Sequence, residues 1–170
     1  HECARNVYLR VYSRRREAVA CRLRDSLVER LGSDVVAIWL YGASIFGHPA
    51  VDVDLHIVLR RQLTSDEWDA VASIHEWLVK ESPFSPQDLD FWYIAWTDAM
   101  GSSSPLHRAP WAQGLVDEHW ALHRAHWFAG RCKVIHGPDP AKIVQPPTWE
   151  ELEATLRSEA ERVVLPSPYW

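Results

Sequence analysis

The sequence predicts an α/β or α+β sandwich, and three observations carry that prediction. Strand-length apolar runs alternate along the chain with helical segments that show an apolar stripe or a capping signal. Apolar residues make up 47% and charged residues 24% of the 170, the mix of a globular chain with a real core. A chain of this length forms one domain that buries roughly 70% of its unfolded surface, and it shows no internal repeat.

The elements follow in order. Over residues 6–31, Tyr8, Tyr12, Val19, Leu23, Leu27 and Leu31 recur at three- and four-residue intervals and draw one apolar stripe down a helix, which Gly32 and Ser33 end. Arg10, Arg14, Arg15, Arg22 and Arg24 lie largely off the stripe and read as a solvated face. "VVAIWLY" is a continuous apolar, β-branched and aromatic run stopped by Gly42, a central strand. "VDVDLHIVL" is a second strand, ending at Arg60 and Arg61, a pair read as solvated and outside the site. Thr64 and Glu67 have capping-box spacing and open a helix over residues 65–80. After "ESPFSPQ", "LDFWYIAW" is a third strand, and "GSSSPLHRAP" is the most linker-like stretch. A tryptophan- and histidine-rich helix is expected over 112–130, then a short strand "CKVIHG" and a last helix from a second capping box, Thr148 to Glu151, to about residue 164.

Composition narrows the function classes. A net charge of −5 gives no general attraction to nucleic acid, whose binding rests on lysine and arginine, so the expected partner is small or proteinaceous. No run is long enough to span a membrane, and no secretory signal opens the chain. Cys3, Cys21 and Cys132 are odd in number and widely spaced, which implies neither a disulfide framework nor a zinc knuckle and fits a reducing cytoplasm. The ten tryptophans read as core and interface aromatics. The chain begins with His1, as a piece of a longer protein would.

The chemistry is concentrated in residues 39–61. Asp52 and Asp54 are two apart on a strand, so both carboxylates leave the same face. Two unpaired carboxylates that close repel, and a hard divalent cation resolves the conflict; magnesium, which keeps its waters and binds substrate phosphates, suits the pattern better than calcium. Upstream, Gly42, Ala43 and Ser44 follow a strand, where free backbone N–H groups and a hydroxyl form an anion site. Asp90, between Leu89 and Phe91, supplies a third acid if its strand is a neighbour, with Asp88 as the alternative of the same parity. His119, His123 and His126 share a helical face but lack a completing ligand, and read as packing or solvent-facing.

Strand, Gly-Ala-Ser turn, Asp52-Val-Asp54 and a later apolar-Asp90-apolar strand resemble the nucleotidyltransferase superfamily of polymerase-β-like enzymes and aminoglycoside adenylyltransferases. "YGASIFGHPAVDVDLHIVL", "LDFWYIAW" and "KVIHGPDPAKI" are most similar to the streptomycin/spectinomycin adenylyltransferase branch, over residues 31–170. The resemblance implies a short mixed sheet flanked by helices, with a nucleotidyltransferase core over 1–104. An extension over 105–170 would lead toward a mostly absent C-terminal helical bundle. It implies that Gly42 and Ser44 hold the triphosphate, that Asp52 and Asp54 bind Mg²⁺, and that Asp90 completes the metal site or acts as base. Ala43 stands where the family has serine or glycine, and Val51 where it has a small polar residue. The implied activity is transfer of a nucleoside monophosphate from an NTP, by resemblance ATP, to a hydroxyl of a small molecule of aminoglycoside type. The alternatives are an antitoxin-like module that binds a helical partner protein, and a nucleotide-binding domain without catalysis.

Overall fold

The opening helix, α1 (Glu2–Leu31), starts four residues before the expected position, and its Val19, Leu23, Leu27 and Leu31 are buried, as the stripe requires. The computed structural model describes residues 2–42 and 52–164, with side chains described from residue 14 to residue 162. Tyr8, Tyr12, Arg10 and Cys3 therefore have no described side chains, and Ala43, Ser44 and Val51 lie outside the described residues. Arg14 and Arg15 are exposed, but Arg16, which the stripe does not single out, is buried.

After a 3-10 turn at Gly32–Asp34, β1 (Val35–Tyr41) runs antiparallel to β2 (Val53–Leu59), with Tyr41 opposite Asp54 and Val35 opposite Leu59. α2 (Ser65–Glu81) opens on the expected capping box: the Glu67 N–H donates to Thr64 Oγ1 at 3.3 Å, and the Thr64 N–H to Glu67 Oε2 at 2.8 Å. The same Glu67 accepts two hydrogen bonds from Arg61, which also pairs with Asp34. Arg61 thus sits at the opposite end of β2 from Asp54. α2 is the crossover that lets β3 (Leu89–Ala95) pair with β2 in parallel. The short α3 (Trp96–Ala99) follows directly, so β3 ends one residue before the expected limit. α4 (Trp120–Phe128), β4 (Lys133–His136) and α5 (Trp149–Val164) complete the chain, with β4 antiparallel to β1. The sheet is mixed, in the order β3-β2-β1-β4.

Period-two alternation divides the sheet between two cores. Ile38, Leu40, Leu55, Ile57, Phe91 and Tyr93 pack with α1 and α2 on one face. Trp39, Val58 and Ile94 pack with Trp120 and Trp127 of α4 on the other. Asp54, His56 and Asp90 share the parity of this second set, so every polar strand residue of interest looks toward α4. Trp39, Trp68, Trp120 and Trp127 are buried, the core role expected for them.

α4 is nine residues long, where a helix over 112–130 is expected. Residues 105–117 instead fold back: Leu106 bridges Val116, the His107 N–H donates to Leu115 O at 2.9 Å, and the Asp117 N–H donates to Pro105 O at 3.0 Å. Gly114, at φ +92°, permits the reversal, and these backbone groups find partners outside a helix. The stretch read as linker-like is tied to β3, with the Arg108 N–H donating to Tyr93 O at 2.7 Å and Ala109 fully buried. Among the described residues, no helix is long and apolar enough to cross a membrane.

Arg124 holds the far side of α4. Fully buried, it donates to Gln145 O at 3.1 Å, to Ser102 O at 3.3 Å and to Glu151 Oε1 at 2.6 Å, and Glu151 also accepts the Thr148 N–H that opens α5. Removing one partner of such a set strands the others. Arg124→Ala is expected to cost about 3 kcal/mol, the lower end of the penalty for breaking a buried pair; urea unfolding checks this, and an unchanged midpoint contradicts it.

Candidate active site

A cleft of about 860 Å³ opens between α4 and the end of the sheet where β1 finishes and β2 and β3 begin. Asp54 and Asp90 face it from opposite positions of the parallel β2–β3 pair. Asp52, just before β2, adds the third negative charge. Burial pushes the Asp54 carboxyl up to about 7, with the charges of Asp52 and then Asp90 adding to it and buried Arg16 pulling the other way. Asp90 is open to the cleft, but the protein around it raises its carboxyl too, against a hydrogen bond from the Trp92 side chain. Burial also raises Tyr41 well above the usual phenol range, and Asp90, Asp117, Asp54 and Asp52 all add to the effect.

Gly42, which ends β1, is there for space as well as conformation. Its φ is +87°, and a Cβ at this position would lie 1.8 Å from Asp54 Oδ2. A glycine lets the backbone turn against the carboxylate with no side chain between them. Asp88 points elsewhere: its Oδ2 accepts from the Ser85 N–H at 2.9 Å and the Ser85 hydroxyl at 2.6 Å, which caps a 3-10 turn. Of the expected site residues, Gly42, Asp52, Asp54 and Asp90 thus converge at one end of the sheet, and Ser44 lies outside the described residues.

The other wall corrects the reading of the histidines. His123 does not merely pack or face solvent: its Nδ1 is 2.9 Å from Asp117 Oδ2, and the ring lies in the cleft wall beside Tyr41, centroids 4.7 Å apart. His126 also lines the cleft, and His119, at its edge, bonds Glu159 at 2.9 Å. His56, which the sequence reading left without a role, is 2.9 Å from the same Asp117 oxygen through Nε2. Asp117 was hidden inside an expected helix, and His56 is 61 residues away from it, so only the topology joins them. Cys132, expected as a buried small hydrophobe, is partly buried: it packs against the second core, and burial pushes its thiol up to about 12.

The resemblance implies Mg²⁺, and the chemistry of the acids fits it. Burial first and neighbouring charges second raise Asp54 and Asp90 at the mouth of a cleft, with Asp52 beside them, a charge pattern that a hard, oxygen-seeking cation relieves.

Comparison with solved structures decides the architecture. The spectinomycin adenyltransferase AAD(9) of Enterococcus faecialis, solved with ATP and spectinomycin, superposes with a TM-score of 0.65 over 84% of this chain, at 12% identity. The fold is that of a nucleotidyltransferase. This chain covers 64% of that neighbour's length. Lower similarity extends to the complex of a tri-AMPylated HEPN toxin with its MNT antitoxin from Shewanella oneidensis, at a TM-score of 0.38, 12% identity and coverage of 88% of this chain and 94% of that one. No protein-family model and no curated protein sequence matches the chain, so the likeness is one of fold.

Two expected outcomes follow from the acids. A methyl group at position 42 collides with Asp54, so Gly42→Ala should destabilise the chain by about 1–3 kcal/mol, measured by thermal or urea unfolding. The second concerns pH. A carboxyl whose folded pKa is raised contributes stability that is present below the unfolded value and lost as pH rises through about 7. His56, pushed down to about 4 by burial, contributes in the opposite direction, losing stability as pH falls below about 6.5, so the parent's own profile mixes the two. The comparison that isolates Asp54 is parent against Asp54→Asn in EDTA. The variant should gain stability relative to the parent between pH 5 and pH 8, and Mg²⁺ should close the gap; parallel melting profiles over that range would count against the raised carboxyl.

Proposed function

We propose that this chain is a nucleotidyltransferase that moves a nucleoside monophosphate from an NTP, most naturally ATP, to a hydroxyl of a small acceptor. The observation that carries the proposal is the in-register pair Asp54 and Asp90, beside Asp52 and the Gly42 turn, at one cleft of a nucleotidyltransferase fold. Asp52 and Asp54 would hold Mg²⁺, which when bound neutralises phosphate charge and aligns the in-line attack. Gly42 and Ser44 would cradle the triphosphate through backbone N–H groups and a hydroxyl. Asp90, open to the cleft and with its carboxyl raised toward working pH, would accept the proton of the attacking hydroxyl. An aminoglycoside-type antibiotic is the acceptor class that the sequence resemblance supports, and the free Cys21 and Cys132 suit a reducing cytoplasm.

Calorimetric titration with ATP, with Mg²⁺ and then with EDTA, tests the metal role: affinity should collapse in EDTA, and equal affinity in both conditions sinks it. The roles of the acids separate by substitution. Asp52→Asn and Asp54→Asn should weaken Mg²⁺·ATP binding itself. Asp90→Asn should leave that binding within a few-fold while lowering transfer by about 10² to 10⁴, the usual contribution of a positioned base. Loss of nucleotide binding in Asp90→Asn would instead make it a third ligand.

A further inference from the structure

The face of β2 that carries Asp54 continues inward to His56, two residues on, and there meets a second group of donors. His56 Nε2 and His123 Nδ1 each lie 2.9 Å from a single oxygen, Oδ2 of Asp117. The other oxygen, Oδ1, accepts the His119 N–H at 3.0 Å, which fixes the plane of the carboxylate. One ligand atom from each of His56, Asp117 and His123 falls within 4.8 Å of the other two. His56 is 0% exposed and enclosed by Tyr41, Trp120 and Trp127, with ring centroids 4.4, 5.6 and 5.4 Å away. Asp117 and His123 line the cleft, and the His123 side chain keeps 19% of its surface exposed. The group is closed on the sheet side and reachable from the cleft.

We propose that His56, Asp117 and His123 form a binding site for a borderline divalent cation of the zinc class, separate from the carboxylate edge at Asp52, Asp54 and Asp90. Two imidazole nitrogens and one carboxylate oxygen are a donor set that zinc takes readily, whereas magnesium prefers oxygen ligands and water. Three protein ligands would leave one position of a tetrahedral shell, and because Asp117 and His123 line the cleft, water or a substrate atom could complete it from there.

The protonation states already suit a ligand set. Burial holds His56 neutral, pushed down to about 4. Burial alone would raise Asp117, but the hydrogen bonds from His123 and His56 outweigh it and hold its carboxyl well below the usual range, so it is ionised at neutral pH. Metal binding then requires no net loss of protons from this carboxylate. In His56 it would require a tautomer change, moving the proton from Nε2, which faces Asp117, to Nδ1. Nδ1 of His56 has no hydrogen-bond partner among the described residues, so the change breaks no second bond but leaves a buried N–H unpaired, a cost that the metal–nitrogen bond would have to exceed. The bound ion would join β2 to α4 at the floor of the cleft, and because it binds only the folded chain it would stabilise it by mass action.

The experiment uses the whole chain stripped with a chelator, with millimolar Mg²⁺ present throughout to satisfy the carboxylate edge. Zn²⁺ is titrated by calorimetry and Co²⁺ by its visible absorption. The expected result is one equivalent of Zn²⁺ per chain and cobalt bands of a four-coordinate nitrogen and oxygen site. His123→Ala, at a partly exposed position, should weaken binding at least about tenfold and abolish the bands; His123→Gln serves the same purpose if the alanine variant folds poorly. Asp54→Asn and the double variant His119→Ala, His126→Ala should leave the zinc isotherm unchanged. Absence of saturable Zn²⁺ binding by the parent overturns the proposal. So does an isotherm that His123→Ala does not alter, since the cluster is then a hydrogen-bonded packing unit and zinc binds elsewhere. Neither outcome touches the nucleotidyltransferase reading, which does not depend on this site.

Discussion

Carboxylates set opposite one another at the start of two parallel strands repel, and the rest of the cleft is arranged around that repulsion. Asp54 and Asp90 occupy matching register positions, and Asp52 stands just before them. The sheet keeps them close because β2 is a central strand, paired on one side with β1 and on the other with β3, and cannot slip without turning Leu55 and Ile57 out of the first core. The Asp54 carboxyl is pushed up to about 7, by burial first and then by the charges of Asp52 and Asp90. On the function proposed above, a cation held at this edge would relieve the charge that the core keeps in place.

The surroundings of the acids are built to the same constraint. Gly42 gives up a side chain so that the end of β1 can close on Asp54, and the positive charge of Arg16, on α1, lowers its pKa. On the opposite wall, α4 is anchored from behind by Arg124, whose three contacts tie it to the start of α5 and to the loop after α3. A helix held this way can present His123 at a fixed distance from the strands. The position of the site thus depends on contacts well outside it.

Most of the fold was legible in the sequence where a pattern has a single physical cause. The apolar run of β1, the alternation of β2 and the Thr64–Glu67 capping box each state their element directly. Asp90 could reach the acids only if its strand were a neighbour, and the parallel pairing meets that condition; Asp88, the alternative of the same parity, is consumed by its cap on Ser85. The region before α4 was not legible, because Ala112 to Gly130 carries a helical composition while Gly114 and the Leu106–Val116 bridge reverse the chain. That error hid Asp117, and with it the partner of His56 and His123. Arg16 was missed for a related reason: a run of arginines reads as solvated, and nothing local says which one turns inward.

One strand face therefore carries two kinds of chemistry in sequence. From the cleft mouth inward it presents Asp52, Asp54, His56 and then Val58, and burial rises along the series from half-buried acids to a fully enclosed imidazole and an aliphatic side chain. At the half-buried positions nearest the cleft mouth the strand carries acids, which water and cations can reach. Deeper in, where desolvation penalises charge, the strand uses a ring that stays neutral and shares the single carboxylate that α4's approach segment lowers to it. Where a carboxylate does enter that interior, at Asp117, two imidazoles hold it by hydrogen bonds, and on the two proposals made above the acids and histidines of one β2 face would serve cations of different hardness only two residues apart.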